Sequence, residues 1–397
     1  MTHSPGRHAL AIPGPSVIPE RVLQAMIRPA PDIYEGPFVE MVPGLIADLK
    51  AVARSRHQAA IYIGNGHAAW EAALANVIAP GDSVLVAATG LFGHGWAEVA
   101  RGLGARVRLL DFGTAAPAGA QRVAEALVAD RQRRIRALLV CHVDTSSSLR
   151  SDIAALRRAL DESGHPALLM VDAIASLGCE RLETDSWGID VLVAASQKGL
   201  MCPPGLGLVF FNDRAEAARA RCAPSRYWDW RPRARPESFY QHFAGTAPTH
   251  HLFALRAALD MIREEGLEAA WARHARLAAA VWAAADAWGR GGPLRLHLRD
   301  PALRAHSVTT LSIGAVHGTR LRRWLTENAG VTLGIGLGMG TKEDPRADGF
   351  FRIGHMGHVN AQMLLGVLGA IEAGLTALEI PHGTGAVEAA AAVLAAG

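Results

Sequence analysis

Between residues 58 and 211 short apolar runs alternate with helix-patterned stretches, and this alternation limits the fold more than any other feature of the chain. Seven runs read as buried strands: 58–63, 84–88, 107–110, 135–141, 167–171, 189–194 and 207–211. Helical patterns lie between several of them, at 67–78, 95–103, 119–131 and 151–163. Continuously apolar strands are covered on both faces, and helical connections carry the chain back to start the next strand in the same direction. The expectation is an α/β fold built on a mostly parallel sheet.

At roughly 100–200 residues per domain, a chain of 397 residues is expected to form about two domains. The reading is a short N-terminal arm over 1–15, a large domain over 16–265 and a smaller α+β domain over 266–397. The 40 Lys and Arg against 37 Asp and Glu leave a net charge of +3, too little to hold nucleic acid by its field. The segment 212–250 is basic and aromatic and reads as a surface crossing or subunit contact. The stretch 251–289 reads as a long helical region, 334–340 as a glycine-rich loop, and the Ala-rich end as a helix. Four separated cysteines suit neither a disulfide framework nor a structural zinc site. No secretory leader and no membrane-length apolar run is visible, so a cytoplasmic location is expected.

Three positions carry candidate chemistry. Gly64-Asn65-Gly66 joins a strand to a helix, where free backbone N–H groups and the positive end of the helix dipole suit a phosphate. The spacing also matches a dinucleotide fingerprint. That fingerprint calls for an acidic residue about 20 positions on, and the next strand ends Ala87-Ala88-Thr89 instead. Lys198 follows a buried strand at the edge where parallel sheets bind ligands; partial burial would lower its pKa and favour Schiff-base chemistry, though such a lysine can equally turn outward. Asp172 ends another buried strand. Opposite charges at one sheet edge suit a pyridine cofactor, the amine bonding its aldehyde and the carboxylate its ring nitrogen. An Asp can also cap the turn that follows it. The seventeen histidines form no HExxH or Cys/His pattern, so no metal is expected.

Taken together, several segments resemble the class V aminotransferases of the fold type I pyridoxal-phosphate (PLP) enzymes, in the alanine–glyoxylate and serine–pyruvate branch. They are Pro13-Gly14-Pro15, residues 64–73, 142–147 and 171–178, Ser196-Gln197-Lys198, Thr246-Ala247-Pro248 and Phe351-Arg352-Ile353-Gly354. The resemblance implies that Lys198 carries the cofactor and that Asp172 partners its ring nitrogen. It further implies that Thr145 bonds the ring oxygen, Phe92 stacks on the ring, and Gly66, His67 and Gln197 hold the phosphate. Thr246 would reach that phosphate from a neighbouring subunit of a homodimer. Arg352 would grip the substrate carboxylate, and Tyr34 would approach the substrate. Two departures stand out: Phe243 takes the place of a phosphate-binding Tyr, and Asp144 that of a common Glu. The implied activity moves an amino group from a small 2-amino acid, of the alanine or serine type, to glyoxylate or pyruvate. The alternatives are an enzyme like pyridoxamine–pyruvate aminotransferase, to which residues 352–357 are similar, and a non-catalytic PLP-binding protein.

Overall fold

The computed structural model describes residues 6–341 and 344–396. Near its start a short strand, β1 (Ala9–Ala11), waits for a partner from the far end of the chain. The large sheet follows in chain order: β2 (Gln58–Gly64), β3 (Ser83–Ala88), β4 (Arg106–Asp111) and β5 (Ile135–Cys141). After β5 comes a small hairpin, β6 (Val143–Asp144) with β7 (Leu149–Arg150), and then β8 (Leu168–Asp172), β9 (Val191–Ala195) and β10 (Gly205–Phe211). The seven long strands are ordered β2-β10-β9-β8-β5-β3-β4, with only β10 antiparallel to its neighbours.

Alternate residues of each strand feed two different cores, which explains why the strands read as unbroken apolar runs. Leu169 and Val171 of β8 join the core on one face, and Leu168 and Met170 the core on the other. Burying both faces in this way requires helices above and below the sheet.

The segment 212–250 protects the sheet's edge. Trp230 stacks on Phe211 at 4.1 Å, and the buried Arg233 donates to the Ile61 carbonyl of edge strand β2 at 2.8 Å. Tyr227 caps the same edge through the Ile63 carbonyl at 3.0 Å. An exposed edge invites unwanted pairing, and here side chains occupy it.

The helical region beyond is two helices, Thr249–Glu265 and Leu267–Gly289, parted by Gly266 with φ of 85°. A second sheet then forms from β11 (Arg295–Leu296), β12 (Val308–Ser312), β13 (Val331–Ile335) and β14 (Phe350–Gly354), in the order β1-β13-β14-β12-β11. The stretch expected as an N-terminal arm thus supplies an edge strand to the small sheet and then passes Lys198 on its way to the rest of the chain. Of the expected glycine loop 334–340, Gly334 and Ile335 belong to β13, and the turn begins after them.

Candidate active site

The candidate residues converge at the C-terminal edge of the large sheet. The helix Gly66–Val77 begins directly after β2, capped by Asn65, whose Oδ1 accepts from the backbone N–H groups of His67 (3.0 Å) and Ala68 (3.3 Å). An Asn at this position is a strong N-cap. It takes two of the donors that the sequence reading offered to a phosphate and leaves the His67 ring exposed. Gly66 is needed for packing: a Cβ there would lie 2.4 Å from the Ile174 side chain.

After β3 the chain enters the helix Leu91–Gly102, with Phe92 in its first turn. The donors there are met from a different strand. Asp144, fully buried, accepts from Phe92 N at 3.0 Å and Gly93 N at 3.1 Å through Oδ2. Its Oδ1 accepts from Ser146 N at 3.0 Å and Ser146 Oγ at 2.5 Å. Burial pushes this carboxyl above the usual range, against the pull of those bonds. Asp144 therefore fixes the backbone that presents Phe92, a task its sequence position does not reveal.

Asp172 ends β8 in a nearly closed environment. Oδ1 accepts from Ile174 N at 2.7 Å, Oδ2 accepts from the Trp70 indole at 2.9 Å, and the Cys141 thiol lies 3.8 Å from Oδ2. Burial pushes the carboxyl up to about 7, opposed by the Ile174 and Trp70 bonds. Lys198 sits just past the neighbouring β9, and its Nζ donates to the Pro13 carbonyl. Burial, reinforced by the Arg352 charge and opposed by Asp172, brings this amine down to about 8. Gly14 gives the amine its room, since a Cβ would overlap the lysine end.

Arg352 comes from β14 of the small sheet and is only 6% exposed. Its Nε donates to the Ile335 carbonyl at 2.7 Å and its Nη1 to the Thr145 carbonyl at 2.8 Å. Burial lowers the guanidinium to about 10, so it stays charged at neutral pH. Nη2 has no protein partner among the described residues. The buried Oε1 of Gln197 is likewise unpartnered among them.

Lys198, Asp172, Thr145, Phe92, Gln197 and Arg352 thus gather at one edge. Tyr34, 87% exposed, and Thr246, also exposed, share no hydrogen bond with Lys198, Asp172 or Arg352 among the described residues. Phe243 is buried in the core beside Phe239, 5.8 Å away, while Tyr240 three positions earlier presents the exposed ring.

The family description of the class V aminotransferases matches residues 46–357. The chain belongs to the class V aminotransferases. It is 35% identical over 397 residues to the serine–glyoxylate aminotransferase of Methylorubrum extorquens, covering 98% of this chain and 96% of that one. It is 35% identical over 387 residues to the L-aspartate–glyoxylate aminotransferase of Paracoccus denitrificans, covering 97% and 95%. Pyridoxamine–pyruvate aminotransferase from Mesorhizobium loti superposes with a TM-score of 0.88 at 26% identity, covering 99% of this chain and 98% of that one. The fold is the fold type I arrangement, and class V aminotransferases depend on PLP. The donor set here fits that cofactor: an amine softened by burial, a buried carboxylate at the end of β8 whose charge acts on that amine, and a Gln197 amide whose buried oxygen is unpartnered among the described residues.

Proposed function

We propose that this class V aminotransferase transfers the amino group of a small 2-amino acid to glyoxylate or pyruvate, holding PLP through Lys198 and Asp172. The observation that carries the reading is that the buried Lys198, just past β9, feels both the charge of Asp172 at the end of adjacent β8 and that of Arg352 from the other sheet. Thr145, Phe92, Gly66, His67 and Gln197 complete the pocket in this reading. Thr246 and Tyr34, both exposed, serve the partner's site in a homodimer. A cytoplasmic home agrees with four free, buried cysteines and with the lack, among the described residues, of any helix long and apolar enough to cross a membrane.

The residues divide the work. When bound, PLP supplies an electron sink for the pair left behind as the substrate's Cα–H bond breaks. Lys198, brought down to about 8, has a sizeable neutral fraction at pH 7–8 and would take the Cα proton and hold it for return on the far side of the amino nitrogen. Asp172, ionised, holds the ring nitrogen protonated. Arg352 offers its open Nη2 edge to the substrate carboxylate, with Nε and Nη1 pinning the plane of the fork.

A second reading has its own support. Asn65 already occupies two N–H groups of the phosphate turn, as suits an enzyme whose pyridoxamine substrate has no phosphate. The deciding experiment offers alanine, serine, aspartate and pyridoxamine as amino donors, each with glyoxylate and with pyruvate. Turnover with an amino acid and PLP supports the main reading; turnover with pyridoxamine alone overturns it in favour of the second. No transfer from any donor, by protein shown to bind PLP, leaves a binding protein.

A further inference from the structure

One buried side chain outside the expected site touches three of its members. The indole of Trp70 donates to Asp172 Oδ2 at 2.9 Å, meets the His67 ring at a centroid distance of 4.7 Å, and meets Phe92 edge-on at 6.3 Å. Behind it Trp96 stacks at 5.9 Å and 16° between planes, and Gly95 leaves no room for a Cβ without pressing the indole at 3.3 Å. Trp70 and Trp96 are both fully buried, so this ring has one orientation.

We propose that Trp70 is a positioning residue that holds the Asp172 carboxylate ionised and aimed at the pyridine nitrogen of the bound cofactor. The inference rests on the PLP reading of Lys198 and Asp172. An indole N–H can only donate, so its bond favours the carboxylate over the carboxylic acid. The help is needed because burial is the largest influence on this carboxyl, and the one donor that counters it more than the indole, Ile174 N–H, bonds the other oxygen, Oδ1. Burial drives Asp172 toward protonation, and the Asp144 carboxylate adds to that drive. Lys198 and the Ile174 N–H oppose it, and the Cys141 thiol faces the same oxygen as the indole. Without the Trp70 donor, Oδ2 keeps only the weak thiol donor among the described residues. The carboxyl would then be protonated over more of the neutral range, and a protonated Asp172 cannot hold a pyridinium.

The test measures PLP affinity of the cofactor-free protein from pH 6 to 9. Trp70→Phe keeps an aromatic ring and removes the donor; Trp70→Leu makes the same deletion with an aliphatic side chain and serves where Phe does not fold. A second ligand, the analogue with carbon in place of the ring nitrogen, isolates the proton effect. The expected result is about tenfold weaker PLP binding near pH 7, the scale of one lost hydrogen bond to a charged group, fading by pH 9. The carbon analogue should bind wild type and variant alike. Equal PLP affinity at every pH, or an equal loss with the carbon analogue, overturns the proposal in favour of ring packing alone. A wild type that binds no PLP at any pH overturns the cofactor reading, and this proposal with it.

Discussion

The two sheets contribute to the site in different ways. On the large sheet Asp172 ends β8 and Lys198 lies in the turn just past the adjacent parallel β9, two strands buried on both faces, so the core holds the ground from which both side chains start. On the small sheet Arg352 comes from an antiparallel strand and reaches across, anchored by the Thr145 carbonyl of the large-sheet half and the Ile335 carbonyl of its own. The first arrangement is rigid through the core. The second depends on two hydrogen bonds, one of which spans the two halves. On the proposed reading the large sheet fixes the chemistry, and the small sheet chooses what is brought to it.

Removing the large-sheet chemistry should have the largest effect. Lys198→Ala should cost at least about 10²–10⁴-fold in turnover, the range for losing general acid–base catalysis alone, while PLP binding persists through the remaining contacts. Activity above a few per cent of wild type with any amino donor would remove Lys198 from its role. Asp172→Asn should cost on the order of 10²-fold, the scale of one lost preorganised electrostatic partner, without lowering the melting temperature. A lowered melting temperature with normal specific activity would instead mark Asp172 as a turn cap.

The small-sheet contribution should separate cleanly from these. Arg352→Ala should leave PLP affinity normal and lower kcat/KM for small 2-amino acids by about 2–4 kcal/mol, as for truncating one partner of a buried charge pair. Arg352→Lys keeps the charge without the fork and should fall between Ala and wild type. Measuring the two half-reactions separately sharpens the comparison. If the natural donor is pyridoxamine, only pyruvate saturation suffers; unimpaired half-reactions in the Ala variant would remove the carboxylate clamp.

The same contrast accounts for what could be read in the sequence. The strands were legible because two buried faces make unbroken apolar runs; β5 spans Ile135–Cys141 as expected, and the others shift by only a residue or two. Lys198 and Asp172 stood out as candidates because a charged residue at or just past the end of such a run lies at the sheet's ligand-binding edge, although the sequence left open that the lysine turns outward and that the Asp caps its turn. Asn65 carried a visible N-cap signal, but the glycines flanking it drew the turn toward a phosphate. Trp70 and Asp144 were not legible. Trp70 lies in an apolar helix and looks like core until its N–H meets a carboxylate 102 positions away. Asp144 acts on the backbone of a helix that precedes it by two strands and another helix, and no local pattern encodes that contact.

The smallest expected effect tests how the two halves share one charge balance. The Lys198 amine, at about 8, must be neutral to attack the cofactor aldehyde, so PLP uptake by the cofactor-free enzyme should speed up as pH rises through 8 and level off above it. The negative Asp172 raises this midpoint and the positive Arg352 lowers it. Removing the negative charge in Asp172→Asn makes the protonated amine less favourable, so the midpoint should move down. Removing the positive charge in Arg352→Ala makes it more favourable, so the midpoint should move up. Each shift should be less than about one pH unit, because protein and solvent screen charges that do not touch. Stopped-flow absorbance of PLP uptake against pH in the three proteins reads both. Shifts of opposite sign mean that one amine feels both sheets; a midpoint unmoved in Arg352→Ala would place the guanidinium outside the field of the lysine and leave the two halves electrostatically independent.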